Sequence, residues 1–256
     1  MPETPLAHLL TSATLLARAA QWDAARALLQ ATEVSPAERP QLQLALAEIA
    51  VDQDFAQSTT HSPTALADLA DALAAHPDPT LKWDRAMLRL RNTYFTKLVT
   101  AATTDGGLAV QAEALQAEAP DDARRAAVLF YRGLIADNLN TLPDEAFKHY
   151  TDSLALCEST GDTLQASYAH RHLGDHAHTA GNLTEARRHW QLSTEQRQAA
   201  GHVPGTLAQQ ALLAVLANDE GNPTAAQAIA TETNRWAQQL NLTYVAAQTN
   251  ALLHKQ

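Results

Sequence analysis

Small and apolar positions recur along this chain with a period of about 40 residues. Small residues stand at Ala25, Ala65, Gly106, Ala146, Ala186 and Ala226, at intervals of 40, 41, 40, 40 and 40. Four residues later come Leu29, Leu69, Val110, Tyr150, Trp190 and Ala230. Five residues before each small residue come Ala20, Thr60, Ala101, Thr141, Gly181 and Gly221. A small residue lets two helices approach, and an apolar residue one turn on fills the groove beside it. A residue suited to a left-handed backbone ends one helix so that the next can start. Each period is therefore expected to be a helix, a tight turn and a second helix.

Cap signals divide the chain in the same way. Ser35-Pro36-Ala37-Glu38 reads as a capping box with proline at the first helical position. Ser62-Pro63 and Asn222-Pro223 repeat the cap-then-proline pattern, and Asn182 with Glu185 offers a weaker box. Gly161 and Gly201 sit where long helices should stop. Six hairpins result. Their first helices are expected near 5–20, 40–54, 80–101, 122–140, 163–180 and 205–220. Their second helices are expected near 23–31, 63–76, 105–118, 143–158, 183–199 and 223–240, with a last helix near 243–254. The stretch 52–61 is the least regular and is expected to include a loop.

Composition supports helices and narrows the chemistry. Hydrophobic residues make up 46% of the chain but aromatics only 5%, so Ala and Leu build the core. Both are strong helix formers, and the residues that favour strands are scarce. A net charge of −10 disfavours phosphate backbones, so nucleic acid is not an expected partner. The single cysteine, Cys157, excludes a disulfide within the chain and a cysteine-rich metal site. No stretch approaches the roughly 18 apolar residues of a membrane span. Met1-Pro2-Glu3-Thr4-Pro5 does not read as a secretory signal, so a soluble cytoplasmic protein is expected.

Leu173-Gly174, Gly181, Ala186, Trp190 and Ser193 make the fifth unit resemble the tetratricopeptide repeat family. The fourth unit carries Gly133, Ala146, Tyr150 and Ser153, and the sixth carries Leu213, Ala214, Gly221, Ala226 and Thr233. The resemblance is close over residues 120–240, and 1–119 follows by periodicity as divergent repeats of one domain, 1–256. The period is about 40 residues against the family's 34. Such longer repeats resemble the sensor regions of bacterial transcription activators and peptide-responsive regulators. The resemblance implies an all-α, right-handed α-solenoid superhelix of six helix-turn-helix repeats with a capping helix at its end. It also implies a concave face lined by the first helix of each hairpin.

On that implied face, the fifth unit presents Tyr168, Arg171, Asp175 and His178. The fourth presents Ala127, Phe130, Leu134 and Asp137, and the sixth Ala208, Ala211, Val215 and Asn218. The third presents Leu88, Arg91, Phe95 and Leu98. The candidate ligand-binding set is therefore Arg91, Phe95, Phe130, Asp137, Tyr168, Arg171, Asp175, His178 and Asn218. Aromatic side chains supply area, and arginine grips a carboxylate with two hydrogen bonds. A protein or peptide is the expected ligand, held by a non-catalytic scaffold that carries no cofactor. The alternative is a regulator that senses a small molecule or signalling peptide.

Catalytic chemistry has one foothold. His170, His172, His176 and His178 crowd one helix, and the i,i+4 pair His172 and His176 has metal-ligand spacing. The helix lacks the glutamate of a zinc protease, and no nucleophile elbow, phosphate loop or dinucleotide fingerprint is present. A metal-dependent enzyme is the remote reading, and no catalytic or metal residue is assigned. Arg85, Arg89 and Arg91 read as a solvated helix face, and Cys157 as a buried small apolar residue.

Overall fold

The computed structural model describes residues 5–101 and 104–254; Met1–Thr4, part of the amino terminus read above, lie outside them. The described residues form 13 helices and no strand. The chain divides into two compact units, Met1–Pro120 and Asp121–Gln256. That division falls where the repeat pattern tightens in the sequence.

The first unit holds α1 (Leu6–Arg18), α2 (Trp22–Gln30), α3 (Arg39–Gln57), α4 (Ser62–Ala75), α5 (Pro79–Val99) and α6 (Leu108–Ala117). The hairpins are α1/α2, α3/α4 and α5/α6. Ala47, Val51, Leu69, Leu73 and Leu88 form a buried cluster joining α3, α4 and α5.

The second unit holds α7 (Asp122–Asn138), α8 (Pro143–Thr160), α9 (Thr163–Thr179), α10 (Leu183–Ala199), α11 (Val203–Asp219), α12 (Pro223–Gln239) and α13 (Thr243–Leu253). Each helix packs on the next in sequence, the arrangement of a helical-repeat solenoid. All 13 expected helices are present, with ends shifted by a few residues; α3 runs on to Gln57, which confines the expected loop to its last part.

The turn column is read correctly in conformation. Ala20, Ala101, Thr141, Gly181 and Gly221 all have positive φ, between 50° and 80°. The geometry of the hairpin thus imposes a left-handed residue even where the sequence supplies a β-carbon. The second hairpin departs, because Ser58 rather than Thr60 takes that conformation.

Three expectations fail for local reasons. Ser35 and Glu38 do bond to each other, but they close a turn ahead of α3, whose first residue is Arg39. Ser62 does not cap α4; it is the helix's first residue, and the backbone N–H groups of His61 and Ser62 both donate to the Asp54 carboxylate at 2.7 Å. Val110 is 70% exposed, not groove-filling, because α6 starts late and buries Leu108, Ala112 and Leu115 instead. The Asn182 and Asn222 caps form as expected, accepting from Glu185 and Ala225 N–H groups.

Candidate functional site

The nine candidate residues separate by unit. In the first, Arg91 on α5 pairs with Asp52 on α3 at 2.6 Å. Phe95, one turn on, stacks on Phe55 with ring centroids 4.1 Å apart. Both candidates therefore tie α5 to α3.

In the second unit, Tyr168, Arg171, Asp175 and His178 follow one another along one face of α9. Phe130 on α7 is buried, 6% exposed, beneath an aromatic cluster. Its ring lies 5.7 Å from Tyr168, 5.9 Å from Tyr150 and 5.6 Å from His172. Phe130 is a floor under Tyr168 rather than a contact surface itself.

The charged candidates differ in how far the fold already uses them. Asp137 accepts from the Tyr150 hydroxyl at 3.2 Å and lies 2.9 Å from His176 Nε2, tying α7 to both α8 and α9. That carboxylate raises the pKa of His176 above the ordinary value, against the effect of burial. His178 reaches from α9 to Asp219 on α11 at 2.7 Å. Asp175 accepts from the Trp190 indole at 3.1 Å and sits 3.3 Å from His172. Burial pushes the Asp175 carboxyl up, but the charge of Arg171 and these bonds outweigh it, so its pKa lies below the ordinary value.

Arg171 is the exception. It is half-buried. Among the described residues its guanidinium makes no hydrogen bond and no close ion pair. Its charge acts on Asp175 from beyond hydrogen-bond distance, and its five N–H donors are left for a ligand. Asn218, at the end of α11, is exposed and lines a separate cleft of about 390 Å³.

The histidines disperse. His170 meets His189 on α10, His172 stacks on Tyr150, His176 meets Asp137 and His178 meets Asp219. Among the described residues no three His, Cys, Asp or Glu side chains come together to hold a metal ion. Cys157 is 1% exposed, and burial pushes its thiol up to about 11, so it is a neutral thiol at physiological pH.

One residue at this site escaped the sequence reading. Arg197 on α10 is 3% exposed and stacks its guanidinium 4.7 Å from the Tyr168 ring centroid. Its Nε donates to Ser167 Oγ and its Nη1 to the Gly205 carbonyl. Burial lowers its pKa to about 10, still charged at neutral pH. The period offered a signal: Cys157, Arg197 and Ala237 are 40 residues apart and all buried. An arginine in that column had to be inside.

No family model matches this chain, and none of the curated proteins compared with it does. Among the described residues no helix is long and apolar enough to cross a membrane.

Proposed function

We propose that this protein is a non-catalytic helical-repeat scaffold of tetratricopeptide type, and that the α9 face of its second unit holds an acidic peptide segment of a partner protein. The observation that carries the proposal is Arg171, whose guanidinium is half-buried and makes no hydrogen bond or close ion pair among the described residues, acting on Asp175 only at longer range, while Asp137, Asp175 and His178 are all in direct contacts. A half-buried arginine has lost part of its hydration and regains that free energy when a carboxylate arrives.

Tyr168 adds the apolar part of the contact. Its ring is fixed from below by Phe130 and from the side by Arg197, so little rotamer freedom is lost when a ligand settles on it. The buried cation at Arg197 adds to the positive field of Arg171 there, and the Asp175 carboxylate offsets part of it. The net charge of −10 supports a protein partner over a nucleic acid. A cytoplasmic setting belongs to the same proposal, and the free, buried Cys157 suits it.

Selection from a random peptide display library on the full chain, with Arg171→Glu as a counter-screen, tests the reading. Enriched peptides should carry acidic residues beside an apolar one and should lose binding to the variant. Binders indifferent to Arg171→Glu would remove this face from the account.

A further inference from the structure

The second unit repeats one packing device twice and omits it the third time. In the first hairpin, Tyr150 on α8 lies over Gly133 on α7 so closely that a β-carbon at 133 would stand 2.6 Å from its Cδ1. The ring then stacks on His172 of the following helix, α9, at 5.0 Å and 16°, and its hydroxyl donates to Asp137. In the second hairpin, Trp190 on α10 covers Gly174 on α9 in the same way. It packs on Leu212 and Leu216 of α11, and its indole N–H donates to Asp175 and to the Arg171 carbonyl.

The third hairpin has Ala214 at the glycine position and Ala230 at the ring position. The residue of the following helix is still supplied: His172, Leu212 and Leu252 stand 40 residues apart. Between them lies the cleft of about 390 Å³, lined among others by Ala214, Asn218, Ala226, Gln227, Ala230 and Leu252. It is the place between α11, α12 and α13 where the ring would sit. Asn218 stands four residues after Ala214 as Asp137 stands four after Gly133, the arrangement of the first hairpin; in the second the acceptor, Asp175, comes one residue after Gly174.

We infer that this cleft is a receptor for an aromatic side chain with a polar hydrogen, tryptophan or tyrosine, presented by a partner polypeptide. Ala226 and Leu252, both partly exposed, supply apolar walls for the ring above a floor closed by Ala214 and Ala230, each 1% exposed. The exposed amide of Asn218 supplies an acceptor for the indole N–H or phenol O–H, the part played by Asp137 and Asp175 for the rings already in place. Gln227, exposed on the same rim, offers a second polar group. The inference does not rest on the α9 face, because none of the lining residues named here belongs to α9.

The test titrates the full chain with N-acetyl-tryptophanamide, followed by saturation-transfer NMR, with N-acetyl-leucinamide as the apolar control. Saturable binding of the tryptophan probe and none of the leucine probe is expected. The double variant Ala214→Gly, Ala230→Trp rebuilds the internal ring and should raise Tm while abolishing binding. Asn218→Ala alters only an exposed side chain and should weaken binding of the tryptophan probe. No saturable binding to the wild type, equal binding of the leucine probe, or binding retained by a folded double variant would overturn the inference. If the double variant does not fold, Asn218→Ala decides, and an unchanged affinity overturns it.

Discussion

His170 and His189 meet nitrogen to nitrogen, Nδ1 to Nδ1 at 2.9 Å, in the buried seam between α9 and α10. One ring must donate and the other accept, so the contact excludes the state in which the two imidazoles are charged together. Burial first, then the fields of His189 and Arg188, lower the pKa of His170 to about 4. Burial lowers His189 as well, although Glu185 beside it works in the opposite direction.

A folded-state pKa below the unfolded value means that the unfolded chain binds the proton first. The stabilisation from His170 is present above about pH 6.5 and is lost as pH falls towards about 4. The loss is on the order of 3 kcal/mol for this group. His176 has the opposite sign: its raised pKa gives stability at low pH that disappears as pH rises through the folded value. Chemical denaturation between pH 7.5 and 4 should therefore show stability falling on the acid side. His170→Gln should flatten that limb; an unchanged slope would contradict the assignment.

Gly174→Ala should destabilise by about 1–3 kcal/mol, the cost of forcing a packed core apart. A β-carbon there would stand 2.5 Å from the Trp190 Nε1, and the ring is held by two hydrogen bonds. Combined with Trp190→Ala the two changes should be clearly less than additive, because the clash vanishes with the ring. Urea denaturation of the four proteins completes the cycle, and simple additivity would contradict the packing described.

Thr141→Gly should stabilise by about 1 kcal/mol. Thr141 is exposed and β-branched, yet has φ of 57°, where its side chain crowds the backbone. Glycine relieves that crowding, and the cost in unfolded-state entropy offsets only part of the gain. Thermal unfolding should show a higher Tm, whereas a lower one would mean that the threonine side chain makes a contact worth more than the strain.

Asp54→Ala should cost about 1–2 kcal/mol and free the start of α4. Its carboxylate serves Thr59, His61 and Ser62, and these bonds hold its pKa below the ordinary value despite burial. Hydrogen exchange should quicken at the His61 and Ser62 amides. Ser62→Ala should leave those two amides protected, which separates this cap from the one that the local sequence suggests.

The fold was legible because a solenoid writes the same contacts once per period. Ala146 and Tyr150 recur as Ala186 and Trp190 in equivalent places, and the left-handed turn recurs at Thr141, Gly181 and Gly221. What failed was not periodic. Asp54 caps a helix from the one before it, eight residues from Ser62, which no local box encodes. The site was only half legible for a related reason. Spacing placed Tyr168, Arg171, Asp175 and His178 on one face, but whether a charge is free depends on partners up to 41 residues away, as with His178 and Asp219.

Calorimetry with an acidic peptide from the display selection tests the central claim most directly. Wild type and Arg171→Glu would be titrated with the peptide and with its acidic residues changed to lysine. The account predicts that Arg171→Glu weakens the acidic peptide by roughly 30-fold or more, and that the lysine peptide regains affinity for the variant. Equal Kd values for the acidic peptide on both proteins would contradict it.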